Sequence, residues 1–430
     1  MAEFLAFAPW RPTRSQEATR AQHAEVAARP PRAIRWALTA LVVGLVMTDR
    51  FGIAIGTASL GASLPLTYVL LTVLLLSGWL VVDTLSLVLY GGIVSVVVSS
   101  LLINVNIDGG NRASIASMFL LLAIYLPFVF SLPPRPDNPA HWRWLMGVFS
   151  NVLLIAAVAG IVQFYAQFVY RAPWLFDLSV LIPDPIRGQG VYNSSISTGS
   201  VLKANGIFLR EPSGFSYLMA FGLLIELALF KRVKRMLGFG LALLLSYSGT
   251  GLLALAIGLF LPLRRKLLVR LAIGAALVLV GNMLADDPLN LAFTLSRAGE
   301  FGAKGSSAYA RYVAPFYLVD ANIDATPWST WLGHGSGMIL KVSGAFDAHD
   351  PTWAKLLFEY GIVGFVFFIG FVAYKLAAFK APFQFRAVLF ASWLVMGGNL
   401  LSPENVCFMY AVLGLWPRPA LDEPERGLPA

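Results

Sequence analysis

What most constrains this chain is a series of unbroken apolar runs. They fall at about 36–48, 64–82, 84–105, 113–132, 145–169, 214–230, 236–247, 250–263, 267–284, 352–376, 386–401 and 404–417. About 20 apolar residues wound as a helix cover the roughly 30 Å hydrocarbon core of a bilayer. A helix also satisfies every backbone polar group within the segment, which lipid cannot do. Transmembrane barrels alternate apolar and polar residues over about ten positions, and these runs do not. Composition agrees: 57% of the 430 residues are hydrophobic and 13% charged, against about 25% charged in soluble proteins. Mean hydropathy is +0.71. The expected fold is all-α and polytopic, with about twelve transmembrane helices.

Lys and Arg in short loops set orientation. Arg11, Arg14, Arg20, Arg29, Arg32 and Arg35 put the N-terminus inside. Threading twelve spans from there leaves Arg135, Arg143, Lys231–Arg235, Arg264–Lys266, Lys375, Lys380, Arg418 and Arg426 on the same side. The organisation expected is therefore a cytoplasmic tail (1–35), one transmembrane domain (36–417) and a cytoplasmic C-terminal tail (418–430). Met1–Arg35 is long, polar and Arg-rich, and no small-residue cleavage site follows the first apolar run, so it does not read as a cleaved signal. The net charge of +9 is spread over many loops, so topology and anionic lipid account for it and no nucleic-acid partner is expected. A single cysteine, Cys407, excludes an intrachain disulfide and a Cys-cluster metal site.

Two long segments thread to the outside, about 170–213 and 285–351. Both carry aromatic residues, glycines and prolines amid apolar sequence, which suits ordered functional loops. Ala308–Val319 reads as an amphipathic helix. Several arginines break the positive-inside pattern here: Arg50 and Arg112 at outer span ends, and Arg171, Arg187, Arg210, Arg297 and Arg311 in the loops. Each could pair with a nearby carboxylate or snorkel to headgroups. Together they suit an anionic headgroup such as a lipid diphosphate, because a guanidinium keeps its charge and donates paired hydrogen bonds to phosphate. In Gly206-Ile207-Phe208-Leu209-Arg210-Glu211-Pro212-Ser213, Pro212 and Ser213 mark a helix start, with Ser213 the candidate N-cap. That holds Arg210 and Glu211 at a span's outer mouth.

Of four histidines, His23 and His141 read as solvated. His334 sits in Leu332-Gly333-His334-Gly335-Ser336-Gly337, where Gly335 and Gly337 allow close backbone approach to a ligand or simply make turns. His349, flanked by Asp347 and Asp350 just before a span starting near Thr352, suits general-base work near neutral pH. Neither His334 nor His349 has a second ligand at zinc-site spacing, so no metal and no cofactor are expected. Within the spans, Gln163 and Gln167 share a helix face and read as interhelical glue. Ser246–Gly251 reads as a turn between two short spans. Glu226 reads either as paired with Lys231/Arg232 or as a proton-coupling acid.

These features in order resemble the bacterial O-antigen ligase/polymerase family of membrane glycosyltransferases. The resemblance is carried by the Arg210–Pro212 motif at a middle span and the Ser246-Tyr247-Ser248 break. It continues with Ser307-Ala308-Tyr309-Ala310-Arg311, Leu332–Gly337, His349-Asp350 and Glu359-Tyr360-Gly361-Ile362-Val363-Gly364, so it is strongest over about 200–370. Asp350 stands where the family usually has Asn, and Glu211-Pro212-Ser213 replaces the commoner Asn-Pro-Asn. The resemblance implies an inner-membrane enzyme acting at the periplasmic face without a metal. It would transfer a glycan from a polyprenyl diphosphate-linked oligosaccharide to a sugar hydroxyl. His349 would be the base, with Arg210 and Arg311 neutralising the leaving diphosphate. Arg50, Arg112, Arg297, Glu211, His334, Gly335 and Gly337 would line the substrate site. The acceptor would be a growing glycan (polymerase) or lipid A-core (ligase), and a chain-length regulator protein is an implied partner. Glu-Pro-Ser leans toward a polymerase. A secondary transporter or lipid-linked sugar flippase working through Glu226, Gln163 and Gln167 is the reading from a different class, and an envelope scaffold is a third.

Overall fold

The computed structural model describes residues 30–55, 58–107, 113–170, 172–188, 195–196, 201–260, 276, 280, 297–396 and 398–417. Its main elements are α1 (Arg32–Met47), a β-hairpin pairing Gly52–Ile55 with Ala58–Gly61, α2 (Ser63–Leu76), α3 (Thr84–Ile107), α4 (Ile115–Tyr125) and α5 (Asn138–Ala166). After single helical turns between 173 and 186 come α6 (Pro212–Ile225), α7 (Val233–Leu245) and α8 (Gly249–Phe260). The outer segment contributes the short helices α9 (Ser307–Tyr312), α10 (Ala314–Asp320), α11 (Ser329–Leu332) and α12 (Ile339–Val342). The chain continues through α13 (Thr352–Ala378), α14 (Phe383–Val395) and α15 (Pro403–Met409).

Among the described residues, four helices are long and apolar enough to cross a membrane: Thr84–Asn106, Asn138–Ala166, Pro212–Phe230 and Thr352–Ala378. Other expected spans are shorter. Helices α2, α4, α7, α8 and α14 have 11 to 14 residues, roughly 17–21 Å at 1.5 Å per residue. Their ends have local causes. Gly78 (φ +68°) stops α2 and Pro127 follows α4; Lys231 (φ +58°) and Tyr247 (φ +46°) turn the chain on either side of α7. The turn expected at Ser246–Gly251 stands at that second corner. Of the run at about 267–284, all but residues 276 and 280 lie outside the described residues.

The C-terminal run packs in the interior of the bundle. Val406, Cys407, Phe408, Met409 and Tyr410 are buried, as are Val412, Leu413 and Trp416. Phe408 packs edge-on against both Phe149 and Phe221, and Trp142 Nε1 donates to the Val412 carbonyl at 2.9 Å.

Helix α6 is the centre of the bundle. Phe215, Met219, Ala220 and Phe221 are fully buried, and small residues let its neighbours approach closely. Gly160 of α5 sits against Phe215, while Gly251 of α8 meets the Ser216 backbone and donates its N–H to Ser216 Oγ at 3.0 Å. This crossing fixes where α6 and α8 begin, and both starts line the groove described below.

Helix α13 is broken. Gly361 takes φ +63°, ψ −167°, a conformation open to glycine and costly for other residues. The break frees the Phe358 and Glu359 carbonyls, which accept from the backbone N–H groups of His334 (2.8 Å) and Gly335 (3.0 Å). A Cβ on Gly361 would strike the Trp331 backbone, and one on Gly333 would strike Glu359. The glycine-rich segment 333–337 is thus inlaid in the break. Ser100 Oγ on α3 also donates to the Glu359 carbonyl at 2.9 Å. The helix expected over Ala308–Val319 is split at Val313, because Pro315 has no N–H to continue α9 and instead sits in the first turn of α10.

Candidate functional site

A groove runs across one face of the bundle in two contiguous cavities. The first, about 260 Å³, is lined by Glu211, Ser213, Gly214, Tyr217, Thr250, Arg311, His349, Asp350, Ser392 and Asn399 among others. The second, about 370 Å³, takes in Leu45, Asp49, Leu209, Arg210, Leu218, Ser402, Glu404 and Phe408. Glu211, Gly214, Tyr217, Gly398, Asn399 and Asn405 line both. Residues distant in sequence meet here because α6, α8, α13 and α15 all begin at this face.

His349 and Arg311 are brought together by backbone pairing: the His349 N–H donates to the Ala310 carbonyl at 2.8 Å. Arg311 closes the last turn of α9, whose start is capped by Ser306 accepting from the Tyr309 N–H. Among the described residues no carboxylate pairs with Arg311. Asp350 is held from below, where Lys355 Nζ lies 2.7 Å from its Oδ2. Burial, and then the charge of Arg311, push the His349 imidazole below its ordinary pKa, against the pull of Asp350 and Glu211. The imidazole is therefore neutral at neutral pH, with a lone pair to accept a proton.

Helices α6 and α13 add positive potential. No side chain caps either start, and the unpaired N–H groups of a first helical turn carry roughly half a positive charge. Ser213 is not the cap of α6: Glu211 takes the extended capping position, Pro212 the first helical one, and Ser213 and Gly214 of the first turn line the groove.

Arg210 reaches the groove but is engaged. Its Nε lies 3.2 Å from Asp49 Oδ1 and its Nη2 3.3 Å from Glu404 Oε1. Burial opposes its charge, yet Asp49 and Glu404 outweigh that and hold its pKa above the ordinary value. Arg50, expected at the diphosphate, is elsewhere. It is fully buried and donates to the carbonyls of Ile207 (2.9 Å), Phe176 (3.0 Å) and Leu209 (2.6 Å), and to Asp177 (3.2 Å). Its donors are spent on pinning the strained turn at Gly206 and Ile207, both with positive φ. That turn delivers Arg210.

His334, Gly335 and Gly337 also lie away from the groove. His334 Nε2 contacts the Asn322 carbonyl at 2.9 Å and its ring packs on Phe358, while Gly335 and Gly337 lie close to Ala113, Ser114 and Ser117. Their backbone approach is to the bundle. Arg297 opens a 3-10 turn, Arg297–Gly302, and its side chain lies outside the described residues, as do Arg112, Arg171, residues 1–29 and residues 418–430. Arg187 pairs with Asp184 at 2.8 Å.

Gln163 and Gln167 act as glue, to a loop rather than to another helix. Gln163 accepts from the Asn205 and Gly206 N–H groups, and Gln167 from that of Leu202. Glu226 is bound by Arg232 at 2.5 Å and by Ser150, so of its two readings the structure shows the paired one.

The residues that sequence reasoning missed are Asp49, Glu404, Asn399, Asn405 and Tyr217. Asp49 reads in sequence as a partner for adjacent Arg50, yet the fold gives it to Arg210. Glu404 did carry a signal: Ser402-Pro403-Glu404-Asn405 is a helix start, with Ser402 accepting from the Asn405 N–H. No known family model matches the chain, and no curated protein matches it.

Proposed function

We propose that this groove transfers a glycan from a polyprenyl diphosphate to a sugar hydroxyl, without a metal. The observation that carries the reading is His349 beside Arg311, with which no carboxylate pairs among the described residues, at a face where two uncapped helices begin. In the reaction the acceptor hydroxyl gives its proton to the His349 imidazole as its oxygen bonds the anomeric carbon. The bond from that carbon to the diphosphate oxygen breaks, and polyprenyl diphosphate departs with the electron pair. Negative charge grows on the leaving oxygens, where Arg311 and the first-turn N–H groups of α6, at Ser213 and Gly214, oppose it. Preorganised donors of this kind are typically worth about 3–4 kcal/mol each. The arrangement supports the same reaction class that the sequence motifs imply.

The bilayer supplies the donor, and the arginine distribution supports a topology of about twelve spans with both tails cytoplasmic and the groove facing the periplasm. Repeat-unit polymerisation is the preferred form, on the strength of Glu211-Pro212-Ser213, and lipid A-core is the ligase alternative. The test is glycan transfer by purified protein in detergent with EDTA, given polyprenyl diphosphate-linked oligosaccharide. Chain elongation by wild type and none by His349→Ala supports the polymerase. Transfer only on addition of lipid A-core makes it a ligase. Transfer undiminished in His349→Ala overturns the base assignment, and no transfer to either acceptor overturns the reading.

A further inference from the structure

The two cavities of the groove differ in charge and lining. In the larger one, two carboxylates that line only this cavity, Asp49 and Glu404, engage its single guanidinium, Arg210, while Glu211 lines both cavities. A diphosphate placed there would displace Asp49 or Glu404 from Arg210, or sit against them as like charge, which disfavours it. The same walls suit a neutral polyhydroxylated ligand. Carboxylates accept from sugar hydroxyls, and amides both donate and accept. Asn405 Nδ2 lies 2.6 Å from Asn399 Oδ1 and 3.0 Å from Ser402 Oγ, so these groups form one polar wall. Leu45, Leu218 and Phe408 add an apolar surface to the same cavity. At about 370 Å³ the cavity is of small-ligand size, with the mixture of apolar walls and a few converging polar groups that such sites show.

We propose that the Asp49–Arg210–Glu404 end of the groove is a carbohydrate subsite, holding the hydroxyls of a sugar that adjoins the transfer point. This rests on the glycan-transfer reading for the role of that sugar, while the binding itself stands on the cavity's chemistry. Arg210 is then a positioning residue that sets the two carboxylates, and phosphate belongs to the Arg311 end. Continuity through Glu211, Gly214 and Tyr217 puts a neighbouring sugar of the same chain within reach of His349.

Two probes separate the ends. One is inorganic pyrophosphate; the other is a reducing oligosaccharide released by mild acid from the host's own lipid-linked glycans. Equilibrium binding to purified protein is measured for wild type, Asn405→Leu, Glu404→Gln and Arg311→Ala, each checked by thermal unfolding. The expected result is oligosaccharide binding weakened about tenfold or more by Asn405→Leu and Glu404→Gln, with pyrophosphate binding held within twofold. Arg311→Ala does the reverse. If Asn405→Leu, folded as wild type, leaves oligosaccharide binding unchanged, or weakens pyrophosphate equally, the subsite is wrong even where transfer is present. If transfer is absent but the selective loss of oligosaccharide binding is seen, the subsite stands and the transfer reading falls.

Discussion

The two ends of the same helices make opposite use of charge. At the C-terminal end of α6, Glu226 is fully buried and bound to Arg232, and near the end of α13 Lys375 lies 3.4 Å from Asp83, with Tyr374 donating to that carboxylate. These charges are partnered on site. At the N-terminal ends the starts of α6 and α13 are uncapped, no carboxylate pairs with Arg311 among the described residues, and His349 stands between cationic and anionic neighbours. A charge matched by its own surroundings stabilises or specifies the fold; a charge left unmatched in a cavity is available to a ligand. The difference locates the chemistry better than the number of arginines does.

Substitutions at the two ends should therefore fail in different ways. His349→Ala is expected to lower the transfer rate most, by roughly 10²–10⁴-fold, with the melting temperature unchanged; single-turnover kinetics measures it. Arg311→Ala should cost roughly 10²–10³-fold and weaken donor binding, read from KM for the lipid-linked oligosaccharide. At the other end, Arg232→Met leaves Glu226 buried without its main partner and should cost about 3 kcal/mol of stability. There the signature is a lower melting temperature with KM unchanged, and a changed KM at constant stability would erase the contrast. Gly361→Ala, between the two, forces a side chain into a positive-φ position against Trp331. It should cost about 1–3 kcal/mol and loosen the segment 333–337, seen as faster amide exchange at His334 and Gly335.

The smallest effect is in pH dependence. Because burial and Arg311 depress the His349 pKa, the base is already free at neutral pH. Activity should stay level as pH falls toward 6.5 and drop only below it. Asp350 raises that pKa, so Asp350→Asn should move the acid limb to still lower pH. A shift to higher pH would show that the titrating group is not His349.

The order of helices along the chain was legible from apolar runs alone, because burial in lipid or core demands them either way. For that same reason the run at 404–417 does not announce its place: an interior segment and a lipid-facing one look alike in sequence, and only packing around Phe408 and Trp416 separates them. Within the site, His349, Arg311, Arg210 and Glu211 stood out because charge beside apolar sequence is costly and needs a reason. Their partners did not stand out. Asp49 is 161 residues from Arg210 and Glu404 lies in another apolar run, and no local pattern says which carboxylate a given arginine will meet. Arg50 and Arg311 look equivalent in sequence; one is enclosed by four acceptors and the other faces a cavity.

The sequence by itself determined that the chain is mostly helical and apolar, and which few polar residues interrupt its apolar runs, since these follow from local backbone chemistry and the cost of burying charge. Tertiary structure decided which charges cancel, that α13 opens at Gly361 to receive segment 333–337, and that four helix starts meet at one groove. Those outcomes depend on contacts between residues far apart in the chain, whose pairing is set by how whole helices pack.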